Sequence, residues 1–346
     1  MIDVTLVSRF FDTRNGGVGA VSEMVLKSLE NNEEGVNINT LSQEDSILYK
    51  NRPIDKLGHL DYLFYSLIEM PFKLKNDVDV YHAISPIEAL WLKSDKTVVT
   101  VHDLLLTKMP EMIHSGILSK AFGSYYTLTM KKAIKSKELI AISKETANEL
   151  NEFYNIPLDE INIIRDPIRS DLYTKKDQKH DIYTIGTVAL LNKRKRVDIL
   201  IKNFLKADIK DSQLLIAGTG NQEQYLKEIA NGDPRIKFLG FVPDEDLNDF
   251  YNSLDLFVYP SVMEGYGLPI VEAMACSLPV ITLDDAAIPE DLKKRTFISR
   301  YKSLADDLKK REFNIDIESN LKFVDKHSQE KISKQLIDLY KKVAES

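Results

Sequence analysis

A single cysteine, Cys276, stands in 346 residues, so no disulfide can form within the chain and the fold must rest on packed cores. Its neighbours Ala273, Met274 and Ala275 are apolar, which reads as a small buried residue and not a nucleophile. Long apolar runs are also missing: none approaches the roughly 20 residues that span a bilayer. Positive charge is in deficit, 46 basic against 53 acidic residues for a net −7, and this removes a general attraction to nucleic acid. No charged-then-apolar leader precedes the strand-like Ile2–Ser8, so a cytoplasmic protein is expected. Tandem repeats and low-complexity segments are absent. Asp77-Val-Asp79 opens a strand-like run and reads as structural, so no metal site is expected.

Apolar content of 43% and charged content of 29% suit a soluble chain with two ordinary cores. Short apolar runs alternate with helical patterns, the mark of parallel sheets covered by helices on both faces. Strands are predicted near 2–8, 36–41, 78–82, 97–101, 138–142 and 161–164, then near 182–187, 213–217, 235–239, 255–259, 279–282 and 296–298. These two sets predict an α/β protein of two Rossmann-like, doubly wound domains, 1–173 and 182–327. The polar stretch Thr174–Asp181 is the linker between them. A last helix near 328–346 carries Ile332, Leu336, Leu339, Tyr340 and Val343 on one apolar stripe. Ligands bind at the carboxyl ends of strands in such sheets, and the motifs below all follow predicted strands.

The densest motif is Pro260-Ser-Val-Met-Glu-Gly-Tyr-Gly-Leu-Pro-Ile-Val-Glu-Ala-Met-Ala-Cys276. It sets Glu264 and Glu272 eight positions apart around Gly265 and Gly267, and leads into a helix that Pro269 can open as its first residue. A glycine loop entering a helix N-terminus presents free N–H groups and positive dipole to a phosphate. Two carboxylates beside such a cradle suit sugar and ribose hydroxyls. Glu272, one turn in, leans back toward the helix mouth.

Other strand ends carry weaker signals. Asn15-Gly-Gly-Val-Gly19 is either a tight turn or a nucleotide loop, and it lacks the spacing of the dinucleotide fingerprint. His102-Asp103 ends a buried strand; His102 is a core residue or a hydrogen-bonding neutral imidazole, and Asp103 caps the turn or orients it. Lys193-Arg-Lys-Arg196 is a solvated face or an anion clamp. Ala217-Gly-Thr-Gly-Asn221 and Gly240-Phe-Val-Pro243 are turns or base-binding loops.

The string PSVMEGYGLPIVEAMACSLPV resembles the donor-site motif of retaining, family-4-like glycosyltransferases (glycosyl transferases group 1) of the GT-B fold, written E-x7-E, with Ser277 where that family usually has Gly. The resemblance implies two Rossmann-like domains facing across a cleft. The first is the acceptor side, with the C-terminal helix packed back on it, and the second binds the donor. It implies retaining transfer of a hexose from a GDP- or UDP-linked sugar to a hydroxyl of a glycan or lipid-linked acceptor. No cofactor, metal or nucleic acid is implied. Glu272 would hold the ribose, and Glu264 with the backbone of Gly265, Tyr266, Gly267 and Leu268 would hold the sugar. His102 would face the sugar, Arg194 and Lys195 would neutralise the departing diphosphate, and Gly17, Gly218 and Val242 would line the donor. Asp166-Pro167 replaces the family's usual Asn-Gly. A sugar-nucleotide epimerase of this fold, or a catalytically silent partner subunit, is the alternative. Lipid-linked acceptors make peripheral contact at the inner membrane face an expectation. Its locus is the segment 117–137, where Phe122, Tyr125, Tyr126 and Met130 recur at helical spacing before Lys131, Lys132, Lys135 and Lys137. That segment either lies in an interface or packs its aromatic face on the sheet.

Overall fold

A computed structural model describes residues 1–12, 16–30, 35–47, 59–108, 117–168, 173–176 and 181–346, with the side chains of 16, 17, 59, 60 and 117–121 left aside. The chain divides into two compact units, Met1–Pro167 with Gln329–Ser346, and Ile168–Ser328. Residues 177–180 of the expected linker, and Asn15 of the first glycine turn, lie outside the described residues.

The first unit holds a parallel sheet of six strands: β1 (Ile2–Ser8), β2 (Val36–Ser42), β3 (Val80–Ala83), β4 (Thr97–Val101), β5 (Glu138–Ala141) and β6 (Ile161–Ile163). Their order is β2-β1-β3-β4-β5-β6. The second unit holds β7 (Tyr183–Val188), β8 (Ser212–Ala217), β9 (Ile236–Gly240), β10 (Leu256–Tyr259), β11 (Val280–Leu283) and β12 (Phe297–Ser299), in the order β12-β11-β10-β7-β8-β9. Both are doubly wound orders that reverse beside their first strand. The twelve strands stand where apolar periodicity placed them. Central strands such as β4 and β10 are buried along their whole length, while the edge strands β2 and β9 each carry exposed and partly exposed positions. That contrast is what a sheet sandwiched between helices requires of its middle and its rims.

Each unit has its own core. In the first, Val99, Val101, Leu139 and Ala141 of the sheet pack with Tyr125, Tyr126 and Met130. Those side chains belong to the helix Ile117–Ala133, so its aromatic face is turned into the protein: Phe122 is 8% exposed and Met130 0%. The interfacial option for this segment is therefore corrected; covering the sheet removes these rings from water. The helix Gln329–Ala344 buries Ile332, Leu336, Leu339, Tyr340 and Val343 within the same unit.

The helix Leu268–Ala275 ends in a Schellman turn: Leu278 N–H donates to Ala273 O (3.0 Å) and Ser277 N–H to Met274 O (2.9 Å). The turn puts Ser277 at φ +59, a left-handed conformation that glycine adopts without cost. Its departure from the family's Gly is thus a strained residue in an unchanged turn. Ser277→Gly is expected to raise stability by about 1 kcal/mol, read as a higher midpoint in urea unfolding.

Candidate functional site

In the second unit the strand order reverses between β7 and β10, so the loops after these two strands meet. After β7, Asn192 opens a short turn over Lys193–Lys195, its Oδ1 accepting from Lys195 N–H at 3.2 Å. After β10 the chain runs Pro260–Glu264, held by Val262 N–H to Arg194 O (2.9 Å) and Glu264 N–H to Ala287 O (2.9 Å). This lacing brings Glu264 Oε1 to 2.6 Å from Lys195 Nζ and 2.9 Å from Arg194 Nη1. Ser261 Oγ also donates to Glu264, Arg194 donates to Met263 O, and Lys195 Nζ donates to Tyr259 Oη at 2.5 Å.

One carboxylate between two cations has a definite charge state. Burial alone would raise the Glu264 pKa, but Lys195 and Arg194 outweigh it and hold the carboxyl below its ordinary value. Lys195 is lowered, by burial first and by the neighbouring Arg194 against the pull of Glu264. The cluster carries a surplus positive charge in a mostly buried place, the condition for attracting a further anion. Arg196, the last base of the run, is spent otherwise. Its guanidinium grips Asp285 in a fork (2.7 and 2.8 Å) and its Nε donates to Pro260 O at 2.8 Å. It ties two loops together and takes φ +49 to do so.

The rest of the motif departs from expectation in three places. Pro269 is the second helical residue and not the first, because Gly267 caps the helix at φ +90. The Tyr266 ring is buried at 4% exposure, so that residue offers only its backbone. Glu272, itself buried, accepts a hydrogen bond from Tyr251 Oη at 2.6 Å, and Tyr251 is wholly buried on the helix Asp244–Asn252. Gly265 and Leu268 flank this loop, both partly exposed. Gly218 follows β8 at φ +114, where a Cβ would lie 1.9 Å from Ala189 O, so close backbone packing accounts for this glycine. Val242 lies partly buried just beyond β9. Burial pushes the Cys276 thiol up to about 12, which fits an inert core residue.

In the first unit, His102 follows β4. One ring nitrogen, Nε2, is 2.8 Å from Ile84 O and the other, Nδ1, is 3.3 Å from Asp166 Oδ1. Burial would lower its pKa, but the Asp166 carboxylate outweighs burial and raises it to about 9. The expected neutral imidazole is corrected to an imidazolium with both N–H groups engaged inside this unit. Asp103 takes the capping option, accepting from Leu105 N–H at 2.9 Å. His82 behind it is buried between Tyr340 Oη (2.7 Å) and Thr100 Oγ1 (2.8 Å), and burial with the His102 charge lowers it to about 3. Gly17 falls in the first turn of the helix Gly16–Glu30.

A histidine raised in the folded state stabilises fully below its unfolded value near 6.5, and that stabilisation is lost as pH rises through about 9. Wild-type stability is therefore expected to decline from about pH 6.5 to about pH 9. Asp166→Asn should flatten that decline. Urea midpoints across this window check it; an unchanged slope in the variant would assign the titration elsewhere.

Among the described residues, no three or more His, Cys, Asp or Glu side chains gather as a metal-ligand set. Sequence reasoning missed Tyr259, Tyr251 and Asp166 as partners. Tyr259 and Tyr251 carry no local signal beyond their apolar periodicity, whereas the Asp166-Pro167 departure did mark the third.

With this geometry in view, residues 180–310 match the family model described as glycosyl transferases group 1. That match falls within the second unit. The chain is 28% identical over 214 residues to the O-antigen chain mannosyltransferase B of Escherichia coli, covering 57% of this chain and 55% of that protein. It is 26% identical over 273 residues to the uncharacterized glycosyltransferase MJ1607 of Methanocaldococcus jannaschii, covering 71% and 69%. The match to the first relative thus spans little more than half its length. Among solved structures, the glycosyltransferase WaaG, involved in lipopolysaccharide biosynthesis, superposes with a TM-score of 0.72 over 98% of this chain and 99% of its own, at 13% identity. HepE of Anabaena, in complex with UDP and glucose, gives 0.68 over 99% and 100%, at 16% identity. The chain has the GT-B fold, two Rossmann-like α/β domains. No described helix is long and apolar enough to cross a membrane.

Proposed function

We propose that this protein is a retaining, metal-independent, family-4-like glycosyltransferase acting in glycan, glycolipid or cell-surface polysaccharide synthesis. It moves a hexose from a nucleotide-diphosphate sugar to an acceptor hydroxyl. The observation that carries the reading is the Arg194–Lys195–Glu264 cluster at the strand-order reversal of the second unit. In this reading the two cations exchange Glu264 for the donor diphosphate. Glu264 stays ionised and accepts from the sugar hydroxyls, together with the N–H groups of Gly265–Leu268. Glu272, steadied by Tyr251, takes the ribose. The bond from the anomeric carbon to the phosphate oxygen breaks, and the acceptor oxygen bonds to the same face. The acceptor proton passes to the leaving phosphate. Charge gathering on that phosphate is met by Arg194 and Lys195, which is why no divalent ion is called for.

The second unit is the donor side and the first the acceptor side. His102 enters as a fixed cation of the first unit and no longer as a neutral donor of hydrogen bonds. The mannosyltransferase relative, and the UDP and glucose bound by HepE, support testing GDP-mannose and UDP-glucose first.

Incubation with a panel of nucleotide sugars, scored for free nucleoside diphosphate, tests the reading. Release of GDP or UDP that persists in EDTA is expected. Loss restored by Mg²⁺ would remove metal independence. A converted nucleotide sugar without release would mean an epimerase, and silence with every donor a partner subunit.

A further inference from the structure

The loops after β7 and β8 are laced backbone to backbone, and a cavity opens beside them. Ala189 N–H donates to Ala217 O (3.1 Å), Leu191 N–H to Thr219 O (2.8 Å) and Gln222 N–H to Leu191 O (2.9 Å). The approach is so close that a Cβ on Gly220 would lie 2.3 Å from Leu191 O. Each loop feeds a helix, Val197–Ala207 and Glu223–Ala230, and the first turns of both line a cavity of about 450 Å³. That volume falls within the span of small-molecule sites, about 300–1,000 Å³. Buried Val197 and Leu226 give it an apolar base, and Asn192, Lys193, Asp198, Gln222 and Tyr225 line the rest. Arg194, Lys195 and Glu264 are not among the lining residues, so the cavity lies beside the donor cluster and is no part of it.

Its polar groups are held in place but not used up. Lys202 Nζ is 2.8 Å from Asp198 Oδ2 and 3.4 Å from Tyr225 Oη, which ties the carboxylate of one helix to the phenol of the other. Asn192 spends its Oδ1 on Lys195 N–H. Among the described residues, Asp198 Oδ1, Asn192 Nδ2, the Gln222 amide and Lys193 Nζ have no protein partner. The Tyr225 side chain is 41% exposed. Charge narrows the ligand. Asp198 offsets Lys202, and Glu223 offsets Lys227 on the neighbouring turn, which leaves Lys193 as the one surplus cation. A single exposed lysine beside a carboxylate is a poor phosphate site, unlike the two cations around Glu264. A sugar ring answers every group present. Each hydroxyl both donates and accepts, as the two amides and the Asp198–Lys193 pair require, and the ring's C–H face can lie on Tyr225. We propose that this cavity is a second carbohydrate-binding site, which holds a sugar of the glycan chain apart from the sugar being transferred. The ligand's place in the glycan acceptor rests on the glycosyltransferase reading above, whereas its binding needs no turnover.

The full chain is titrated calorimetrically with α-mannotetraose and with maltotetraose, without nucleotide and again in excess GDP or UDP. Binding of at least one tetrasaccharide, unchanged by either nucleotide, is expected. Tyr225→Ala should weaken it about tenfold or more, while Tyr225→Phe, which keeps the ring, should stay within about threefold of wild type. Alanine suits a half-exposed helical position, so the Tyr225→Ala melt should match wild type. If it does not, Gln222→Ala, whose side chain makes no capping bond, must still weaken binding. Release of nucleoside diphosphate without added acceptor should be equal in Tyr225→Ala and wild type. Tetrasaccharide binding that depends on Tyr225 in a protein silent with every donor would sink the transfer reading and leave this site standing. The inference is overturned if neither tetrasaccharide binds, if the variants bind like wild type, or if GDP or UDP displaces the sugar.

Discussion

Replacing Lys195 with alanine is expected to cut turnover about 10²–10³-fold, the usual cost of removing one electrostatic contact to charge that develops in the transition state. The fold should tolerate the change. Glu264 keeps Arg194 and the Ser261 hydroxyl as partners, so the variant does not leave a bare buried carboxylate. The main structural loss is the donor to Tyr259 Oη. Steady-state turnover of nucleotide sugar and a thermal melt, measured together, separate the two effects. A large fall in kcat with a small change in melting temperature supports a cation aimed at the leaving group. Turnover close to wild type would move that role to Arg194 or to the exposed Lys193. Arg196 is not next in line, because its guanidinium is committed to Asp285 and Pro260.

Gly218→Ala should destabilise the protein by about 3 kcal/mol or more, combining a backbone conformation that L-residues avoid with overpacking against a neighbouring chain segment. The new Cβ would sit 1.9 Å from Ala189 O, which is backbone and cannot swing aside. Gly218 N–H also donates to Gly240 O at 2.6 Å, so any shift disturbs the loops after both β8 and β9. Denaturant unfolding reads the loss directly. A variant that melts like the wild type yet no longer responds to nucleoside diphosphate would return Gly218 to a ligand-approach role and sink the packing account.

The strands, their count and their division into two sheets were legible in the chain, because burial between two helical layers writes continuous apolar runs such as Leu139–Ile142 and Leu256–Tyr259. So was the loop-to-helix motif around Glu264, where residue types and spacing are local. Less could be read where one local pattern serves two environments. Phe122, Tyr125, Tyr126 and Met130 have the spacing of an interfacial helix and of a core helix alike. Only the sheet lying against them decides for the core. The reverse holds for Phe64, Leu67, Ile68 and Phe72, whose helical spacing is that of a core face but which stand 41, 43, 52 and 88% exposed.

The site itself was a tertiary decision. Lys195 and Glu264 are 69 positions apart, and they meet because β7 and β10 are neighbours at the reversal of strand order, a fact of topology and not of either segment. The same applies to Asp166, which reaches His102 from beyond β6 and sets its charge, and to Tyr251, which reaches Glu272 from a separate helix. Residue types and local periods determined which groups this protein has and which elements carry them. Strand order and helix packing determined which of those groups touch, and therefore which are charged, paired or left facing solvent, because pairing and desolvation act through distances that only the folded chain creates.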